Sequence, residues 1–263
     1  MQTPDRRRRC GPARLLAAGL AVLAVALPAA GEGLRAHDVR YRFLFKGMSG
    51  GELELKLRPD APPDSWIYET HAHPNFLATF FVSPESIERG WFRVTPAGVE
   101  PQRYLLDNGS ADKSNDSELT YDWAHGRITG TARGKPLELA VAPGTQDVMS
   151  IRAVVLVDLL AGREPREYTM LDGRELKQFV YTRIGTAKLK TDIGEYDTVV
   201  FKSERKGSDG HGRSWQYWYA PSLGWLPLRA EQRDDGKTRI TLAIRSLKWL
   251  DADAGATGAA PRG

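Results

Sequence analysis

Alternation of apolar and polar residues with a period of two runs through most of this chain and constrains its fold more than any other feature. In ELELKLR, residues 52–58, Leu53, Leu55 and Leu57 share one face, and charged side chains occupy the other. Successive side chains of a β-strand point to opposite faces, so this pattern predicts a half-buried strand. The preceding VRYRFLFK alternates in the same way, and GMSGG between the two predicts a hairpin.

Similar segments recur at short intervals as far as TRITLAIRSLKW, residues 238–249, with LKQFVYTRI and AKLKT as two separate strands. Turn signals such as Asp172-Gly173 and Asp235-Gly236 separate them. Short strands joined by turns are typical of antiparallel sheets and barrels. We therefore expect a mainly β fold, a single curved or partly closed antiparallel sheet that is barrel-like.

One segment, QDVMSIRAVVLVDLLAG, departs from this period. Asp147 occupies an N-cap position and Gly162 a C′ position, which predicts a helix near residues 148–160. The polar residues inside it are Ser150, Arg152 and Asp158. The β-branched residues also allow a strand, but the caps and the length favour a helix. Because it is apolar almost all round, we expect it to be buried against the concave face of the sheet.

The first thirty residues have the composition of a secretory signal peptide. Arg residues precede the apolar run LLAAGLAVLAVAL, and Ala29, Ala30 and Gly31 offer a cleavage zone. Cys10 lies before the apolar run, so it cannot be the lipid-bearing Cys of a lipoprotein signal. These features predict general secretion to the periplasm, with no transmembrane anchor after cleavage.

The predicted organisation follows from these ends. Residues 1–30 are the signal peptide, 31–38 a flexible N-terminus and 39–250 one β-rich domain. The small and polar tail, residues 251–263, has a composition typical of a disordered end.

Charge and cysteine content exclude several classes of function. The chain has 37 basic and 33 acidic residues, and removal of the signal peptide, with five Arg and one Asp, leaves 32 of each. A nucleic-acid partner is therefore not expected. The exported chain has no Cys, so it has neither disulfides nor a Cys nucleophile.

The motifs of catalysis are weak. GMSGG matches the Gly-x-Ser-x-Gly nucleophile motif at Ser49, but that chemistry needs a strand-to-helix turn, and the residues that follow alternate as a strand. No Gly-rich phosphate loop or justified carboxylate pair is visible. The sequence favours a non-enzymatic protein without a cofactor.

ETHAH is the one pattern that could begin a metal site. Glu69, His71 and His73 fall at i, i+2 and i+4, hence on one face of a strand. Two His and a carboxylate suit zinc or iron. The alternative is a solvated polar face.

HPNFLATFFVSPES, residues 73–86, crowds apolar side chains between two prolines. Phe76, Leu77, Phe80 and Phe81 either close one end of the core or form the apolar lip of a ligand cavity.

WYAPSLGWLPLRAEQ, residues 218–232, predicts a turn with Pro221 at its first central position and Gly224 at positive φ. Trp215 and Trp218 lie on opposite faces of the strand before it, so either both faces are covered or one lines a cavity. Pro227 cannot donate to a ladder, so its strand lies at an edge or turns the missing donor outward.

At these residues the chain resembles a bacterial exported family called domain of unknown function 3108 (DUF3108). The shared motifs are YRFLFKGMSGGELEL, GVEPQRY, TYDWAHGRI, QDVMS, KLKTDIGEYDTVVF and this last hairpin, in that order. The resemblance covers roughly residues 39–249 and implies an envelope protein, with no catalytic residues to carry over. The hairpin is more distantly similar to periplasmic lipoprotein carriers of the LolA/LolB type, which hold acyl chains in a curved sheet. Ala220 stands where those carriers usually have Asp.

The leading hypothesis is a non-enzymatic periplasmic protein that binds an apolar ligand, a lipid or lipoprotein acyl chain, in the hollow of the sheet. The expected ligand-binding residues are Phe76, Leu77, Phe80, Phe81, Trp215 and Trp218. One alternative is an envelope assembly or scaffolding factor that binds a protein partner at the sheet edge near Pro227. The other is a metal-dependent enzyme that uses Glu69, His71 and His73.

Overall fold

Fourteen β-strands and one α-helix form the part of the chain that the structure, a computed structural model, describes: residues 33–61, 63–76, 79, 83, 85–208 and 212–250. The predicted signal peptide and the predicted tail lie outside the described residues. The elements are β1 His37–Phe45, β2 Met48–Pro59, β3 Ser65–Pro74, β4 Ile87–Thr95, β5 Gly98–Asp107, β6 Ser117–Asp122, β7 Arg127–Ala132, β8 Lys135–Ala140, α1 Ser150–Leu160, β9 Glu167–Asp172, β10 Glu175–Thr191, β11 Gly194–Arg205, β12 Arg213–Ala220, β13 Leu226–Asp234 and β14 Lys237–Trp249.

All these strands belong to one antiparallel sheet in the order β8-β7-β6-β5-β4-β3-β2-β1-β14-β13-β12-β11-β10-β9. The sheet consists of two up-and-down meanders, β1–β8 and β9–β14, joined where β1 pairs with β14 from His37↔Trp249 to Phe45↔Ile240. Consecutive strands are therefore neighbours in the sheet, except β8 and β9, which lie at its two edges. The predicted fold class is confirmed.

The two outer strands, β8 and β9, approach each other without a continuous ladder. The main chain of Gln146, just before α1, bonds with that of Thr169 and Leu171 on β9, at 2.8 and 2.9 Å. The guanidinium of Arg174 donates to the carbonyls of Ala132, Lys135 and Pro136, each at 2.9 Å. The sheet is thus partly closed, with its two edges linked by these bonds.

Helix α1 lies in the connection from β8 to β9, where its N-terminus is capped as the sequence predicts. Oδ1 of Asp147 accepts from the main-chain N–H groups of Met149 and Ser150, at 2.8 and 2.7 Å. At the other end Gly162 has φ +70°, and the main chain of Arg163 bonds to the carbonyl of Asp158. This pattern is a Schellman motif. No described helix is long and apolar enough to cross a membrane.

Burial of α1 explains why the sheet curves. One side of the helix packs against β4 and β5, where the side chain of Met149 lies over Gly90. The other side packs Val155, Leu156 and Leu159 against aromatic rings of β10–β12. Because these strand groups are far apart in the sheet order, the sheet must wrap round the helix to contact it on both sides. The prediction of a buried helix is confirmed.

The predicted hairpin at the start of the domain is also observed, with its turn at Lys46-Gly47 rather than across the whole of GMSGG. Ser49 lies in β2, and its carbonyl accepts from the Asn75 side chain at 2.6 Å. The backbone of Gly51 has φ +120°, and a Cβ there would lie 2.2 Å from the carbonyl oxygen of His73. Glycine is therefore required by a close strand contact, and Ser49 is in a hairpin, as expected.

One strand prediction is wrong, and of the two alternatives left for the strand of Pro227 the structure shows an unpaired position rather than a sheet edge. LKQFVYTRI and AKLKT form one strand, β10, which continues through an irregularity at Arg183 and Gly185. β13, which contains Pro227, is an interior strand between β12 and β14. Its ladder with β14 begins only at Arg229, so the missing N–H of Pro227 interrupts no hydrogen bond of that ladder. Its carbonyl accepts from the hydroxyl of Tyr41 at 2.7 Å.

The N-terminal boundary expected at residue 39 falls inside β1. Ala36 and His37 are buried. Burial lowers the pKa of His37 to about 4, against the opposing effect of its bond to the Arg35 carbonyl. His37 is therefore a neutral part of the packed structure at pH 7.

Candidate functional site

A cavity of about 830 Å³ lies between α1 and the sheet. Apolar side chains of α1 and its entry, among them Val148, Ile151 and Val155, form one wall. Their spacing of three and four residues places them on one side of the helix. The opposite wall comes from β1–β3 and β9–β14. The volume lies within the range of about 300–1,000 Å³ that is typical of small-molecule sites.

Aromatic rings cover much of the sheet wall. Trp215, Tyr217 and Tyr219 project from β12 on the same face, because they are two residues apart. Trp215 and Tyr217 are stacked with centroids 5.9 Å apart, and Tyr217 and Tyr181 with centroids 6.3 Å apart. This layer gives the cavity a broad, rigid and largely apolar surface.

The cavity tyrosines are neutral at physiological pH. Burial raises the pKa of Tyr68 and of Tyr181 to about 12 each, partly offset by the positive charge of Arg152. The wall therefore presents neutral hydroxyl groups rather than phenolates.

Charged residues line one end of the cavity, where β9, β11 and β13 end and β10 and β12 begin. They are Asp172, Lys177, Arg205, Lys206, Arg213 and Asp234. The ammonium group of Lys177 lies 2.7 Å from a carboxylate oxygen of Asp172. We call this set the charged rim. It differs from the rest of the lining, which is mainly apolar and aromatic.

The predicted ligand-binding residues fall in three groups. Trp215 lines the cavity, whereas Trp218 lies on the opposite face of β12, where the guanidinium of Arg229 is 5.3 Å from its ring centroid. Phe76 is 77% exposed and outside the lining, although it follows β3 at the end of the sheet that carries the charged rim. Leu77, Phe80 and Phe81 lie outside the described residues. Of the three candidates that the structure describes, Trp215 is the one that lines the cavity.

The predicted metal residues are not assembled into a metal site. Glu69 is occupied on both carboxylate oxygens, by Nε2 of His71 at 2.8 Å and by the guanidinium of Arg89. His73 contacts Glu54 instead, at 3.4 Å. Within the described residues, no three His, Cys, Asp or Glu side chains are arranged to hold a metal ion. Their ion pairs and hydrogen bonds agree instead with the alternative given for this pattern, a polar outer face of the strand.

A family model described as a protein of unknown function (DUF3108) matches residues 39–243, more than half of the chain. The chain belongs to this family. The resemblance inferred from the ordered motifs is confirmed, and the matched residues include most of the cavity lining. No curated protein matches the sequence significantly.

Solved structures support the fold of this DUF3108 member. It resembles a β-barrel-like protein of domain of unknown function DUF1849 from Brucella abortus, with a TM-score of 0.50 and 11% identity, over 84% of this chain and 100% of that chain. Weaker similarities include the Pseudomonas aeruginosa MucA/MucB complex, with a TM-score of 0.31 and 12% identity over 84% of this chain and 54% of that chain. A Vibrio parahaemolyticus domain provisionally assigned to outer membrane lipoprotein sorting has a TM-score of 0.24 and 10% identity, over 86% of this chain and 89% of that chain. Only the first supports an argument, and it concerns the fold alone.

The sequence did not single out several residues of the site. Tyr41, Tyr68 and Tyr181 line the cavity but belong to ordinary alternating strands. Arg152 was visible as a charge in an apolar helix, and it also lines the cavity. The sequence signal that could have identified Arg152 as a site residue is its charge within an otherwise apolar helix.

A buried polar cluster lies at the entry to α1. The hydroxyl of Tyr104 donates to Glu88 at 2.7 Å. Nearby, Oδ2 of Asp147 and the hydroxyl of Tyr121 are buried without a hydrogen-bond partner in the described part of the chain. Burial and then the charge of Asp147 raise the pKa of Tyr121. These side chains lie outside the cavity lining and bear on stability rather than on ligand contact.

Proposed function

We propose that this protein is a non-enzymatic periplasmic binding protein that holds an apolar ligand, a lipid or an acyl chain, in the cavity beside α1. The observation that carries the proposal is the cavity itself, about 830 Å³ with a lining dominated by aliphatic and aromatic side chains. The predicted signal peptide supports the location. The DUF3108 family assigns no activity that competes with this reading.

The energetics of such a site are sufficient for useful affinity. Burial of one methylene group contributes about 0.8 kcal/mol, so ten buried methylenes contribute about 8 kcal/mol. That free energy corresponds to a Kd of about 1 μM, before the loss of chain and rigid-body entropy weakens it. An alkyl chain of moderate length is therefore a realistic occupant.

Native mass spectrometry of the protein, purified gently from a periplasmic extract, tests the proposal. We expect an additional mass in the lipid range that is lost when the protein is denatured. Ala230→Phe places a ring into the cavity from β13, where Ala230 is part of the lining. We expect this variant to retain much less of the additional mass.

Ala243→Phe is the matched control, because it makes the same change on the opposite face. Ala243 pairs with Arg229, whose side chain covers the outward-facing Trp218. We expect this control to keep the ligand. A protein without additional mass, or equal retention by both variants, would refute the proposal.

The alternative of an assembly factor that uses a sheet edge near Pro227 loses its structural basis. β13 is an interior strand of the described sheet, whose outer strands are β8 and β9, so Pro227 does not lie at the sheet edge on which this alternative rests. We do not pursue it.

A further inference from the structure

Arg152 is the one cationic side chain that α1 contributes to the cavity wall. It lies in the first turn of the helix, beside Ile151 and on the same side as Val155 and Leu156. The residues that surround it in the helix are buried and apolar. The guanidinium is therefore placed inside the cavity, apart from the charged rim.

Arg152 has no partner among the described residues. It forms no hydrogen bond there, and no described carboxylate oxygen lies within 4.0 Å of its guanidinium nitrogens. Other arginines near the helix and the sheet edges are paired: Arg163 lies 2.7 Å from Asp158, and Arg174 bonds to three carbonyls. Arg152 therefore differs from these two arginines in having no such partner among the described residues.

Glu88 is the carboxylate whose charge acts most strongly on Arg152. One of its oxygens already accepts from the hydroxyl of Tyr104 at 2.7 Å. Burial lowers the pKa of Arg152, but Glu88 and the neighbouring tyrosines outweigh this, so the pKa rises above its usual value. The guanidinium remains charged at every pH relevant to the periplasm.

A charge in an enclosed site is costly where its hydrogen bonds are not satisfied, and the guanidinium of Arg152 donates to no described residue although the charge of Glu88 acts on it. A carboxylate or phosphate group would satisfy it, since the planar guanidinium can donate two parallel hydrogen bonds to either. The hydroxyls of Tyr68 and Tyr217 also line the cavity and bond to no described residue. They supply neutral donors beside the positive charge.

We infer that the occupant of the cavity is an amphiphile with an anionic carboxylate or phosphate head, which binds Arg152 while its alkyl chain lies against the aromatic wall. This inference rests on the proposed function and names its substrate class. It places the head inside the cavity, next to α1, and not at the charged rim.

Competition binding tests the inference. The uncharged fluorescent probe N-phenyl-1-naphthylamine reports occupation of the cavity, and dodecanoate, dodecyl phosphate, dodecanol and dodecylammonium compete with it. Because a hydrogen-bonded charge pair distinguishes the two heads, we expect dodecanoate to bind about 10- to 100-fold more tightly than dodecanol. Dodecylammonium should compete least well.

Arg152→Gln should remove the preference for dodecanoate while leaving the affinity for dodecanol within about twofold. Arg152→Lys keeps the charge but not the two parallel donors, so it should retain part of the preference. Arg103→Gln is the control, since it removes one positive charge from an exposed ion pair between Arg103 on β5 and Glu118 on β6. It should behave as the unmodified protein.

The outcomes separate the two proposals. If neither the probe nor any amphiphile binds, the proposed function fails. If all four amphiphiles bind and Arg152→Gln leaves their ranking unchanged, the cavity binds lipid but the inference about its head group is wrong. Displacement by inorganic phosphate as strong as that by dodecyl phosphate would show a small-anion site and would also overturn it. Should Arg152→Gln fail to fold, the ranking in the unmodified protein and in Arg152→Lys decides.

Discussion

Asp147 offers the sharpest test of how the helix is held in the sheet. Asp147 is 2% exposed, and its Oδ1 accepts from the N–H groups of Met149 and Ser150. Its Oδ2 has no hydrogen-bond partner among the described residues. Burial raises the pKa of this carboxyl from 3.8 to about 6, although the hydrogen bonds at the helix start oppose the change.

The sign of the pH effect follows from this direction. The folded protein binds the Asp147 proton more tightly than the unfolded chain does, so the free energy of unfolding falls as pH rises from about 4 to about 6. Each pKa unit corresponds to about 1.4 kcal/mol. The difference between 3.8 and about 6 therefore corresponds to a loss of about 3 kcal/mol at neutral pH.

Asp147→Asn keeps the capping oxygen, and Asn caps helices about as well as Asp. It removes the buried charge, so we expect the variant to be more stable than the unmodified protein by up to about 3 kcal/mol at pH 7.5. At pH 4, where the native carboxyl is already protonated in the folded state, most of that difference should disappear. Urea unfolding followed by circular dichroism at both pH values measures it.

Asp122→Asn is the control for loss of a carboxylate, because Asp122 is at the surface and the adjacent His125 lowers its pKa. It should show no gain in stability at pH 7.5. A less stable Asp147→Asn variant at pH 7.5, or a gain that does not change with pH, would refute the reasoning. The first result would mean that the charged cap outweighs the cost of its burial, and the second that the gain in stability does not come from removal of the charge.

Three further changes test the packing and the closure of the sheet. Arg174→Gln removes the bonds to three carbonyls across the sheet edges, so we expect the free energy of unfolding to fall by about 1–3 kcal/mol. Hydrogen exchange should become faster in β8 and β9 than in β1, which would show that these edge strands are the ones destabilised. Gly90→Ala puts a Cβ 2.5 Å from that of Met149, and calorimetry should show a loss of about 1–3 kcal/mol. Leu228→Ala leaves a cavity at a fully buried position, so urea unfolding should show a loss of stability of about 2–5 kcal/mol. Unchanged stability of any of the three variants would contradict the contact or burial that it was designed to remove.

The strands were predictable because their signal is local. Leu55 and Leu57 are buried, and Glu54 and Lys56 form ion pairs on the opposite face, as the alternation in β2 predicts. The caps at the two ends of α1 were equally local, since each depends on side-chain or glycine geometry within a few residues. The order of family motifs carried the assignment to DUF3108.

The errors arose where a local signal has more than one structural solution. Gly185 looked like a break between two strands, but β10 continues through an irregularity there. Pro227 allowed either an edge strand or an unpaired position in an interior strand, and the late start of the β13–β14 ladder at Arg229 decides for the second. Pairing partners lie far apart in the sequence, so the residue itself cannot distinguish these cases.

The sequence by itself determined the alternating strands, the capped helix and the presence of a charge within that helix, because dihedral preference and side-chain period act over a few residues. Only the tertiary structure decided where Arg152 points. The pairing of β1 with β14 and the links between β8 and β9 wrap the sheet round α1 and enclose the cavity. Whether a buried charge meets a partner, solvent or a cavity depends on strands distant in sequence, and this long-range arrangement places Arg152 in the cavity wall, where the proposed ligand would bind it.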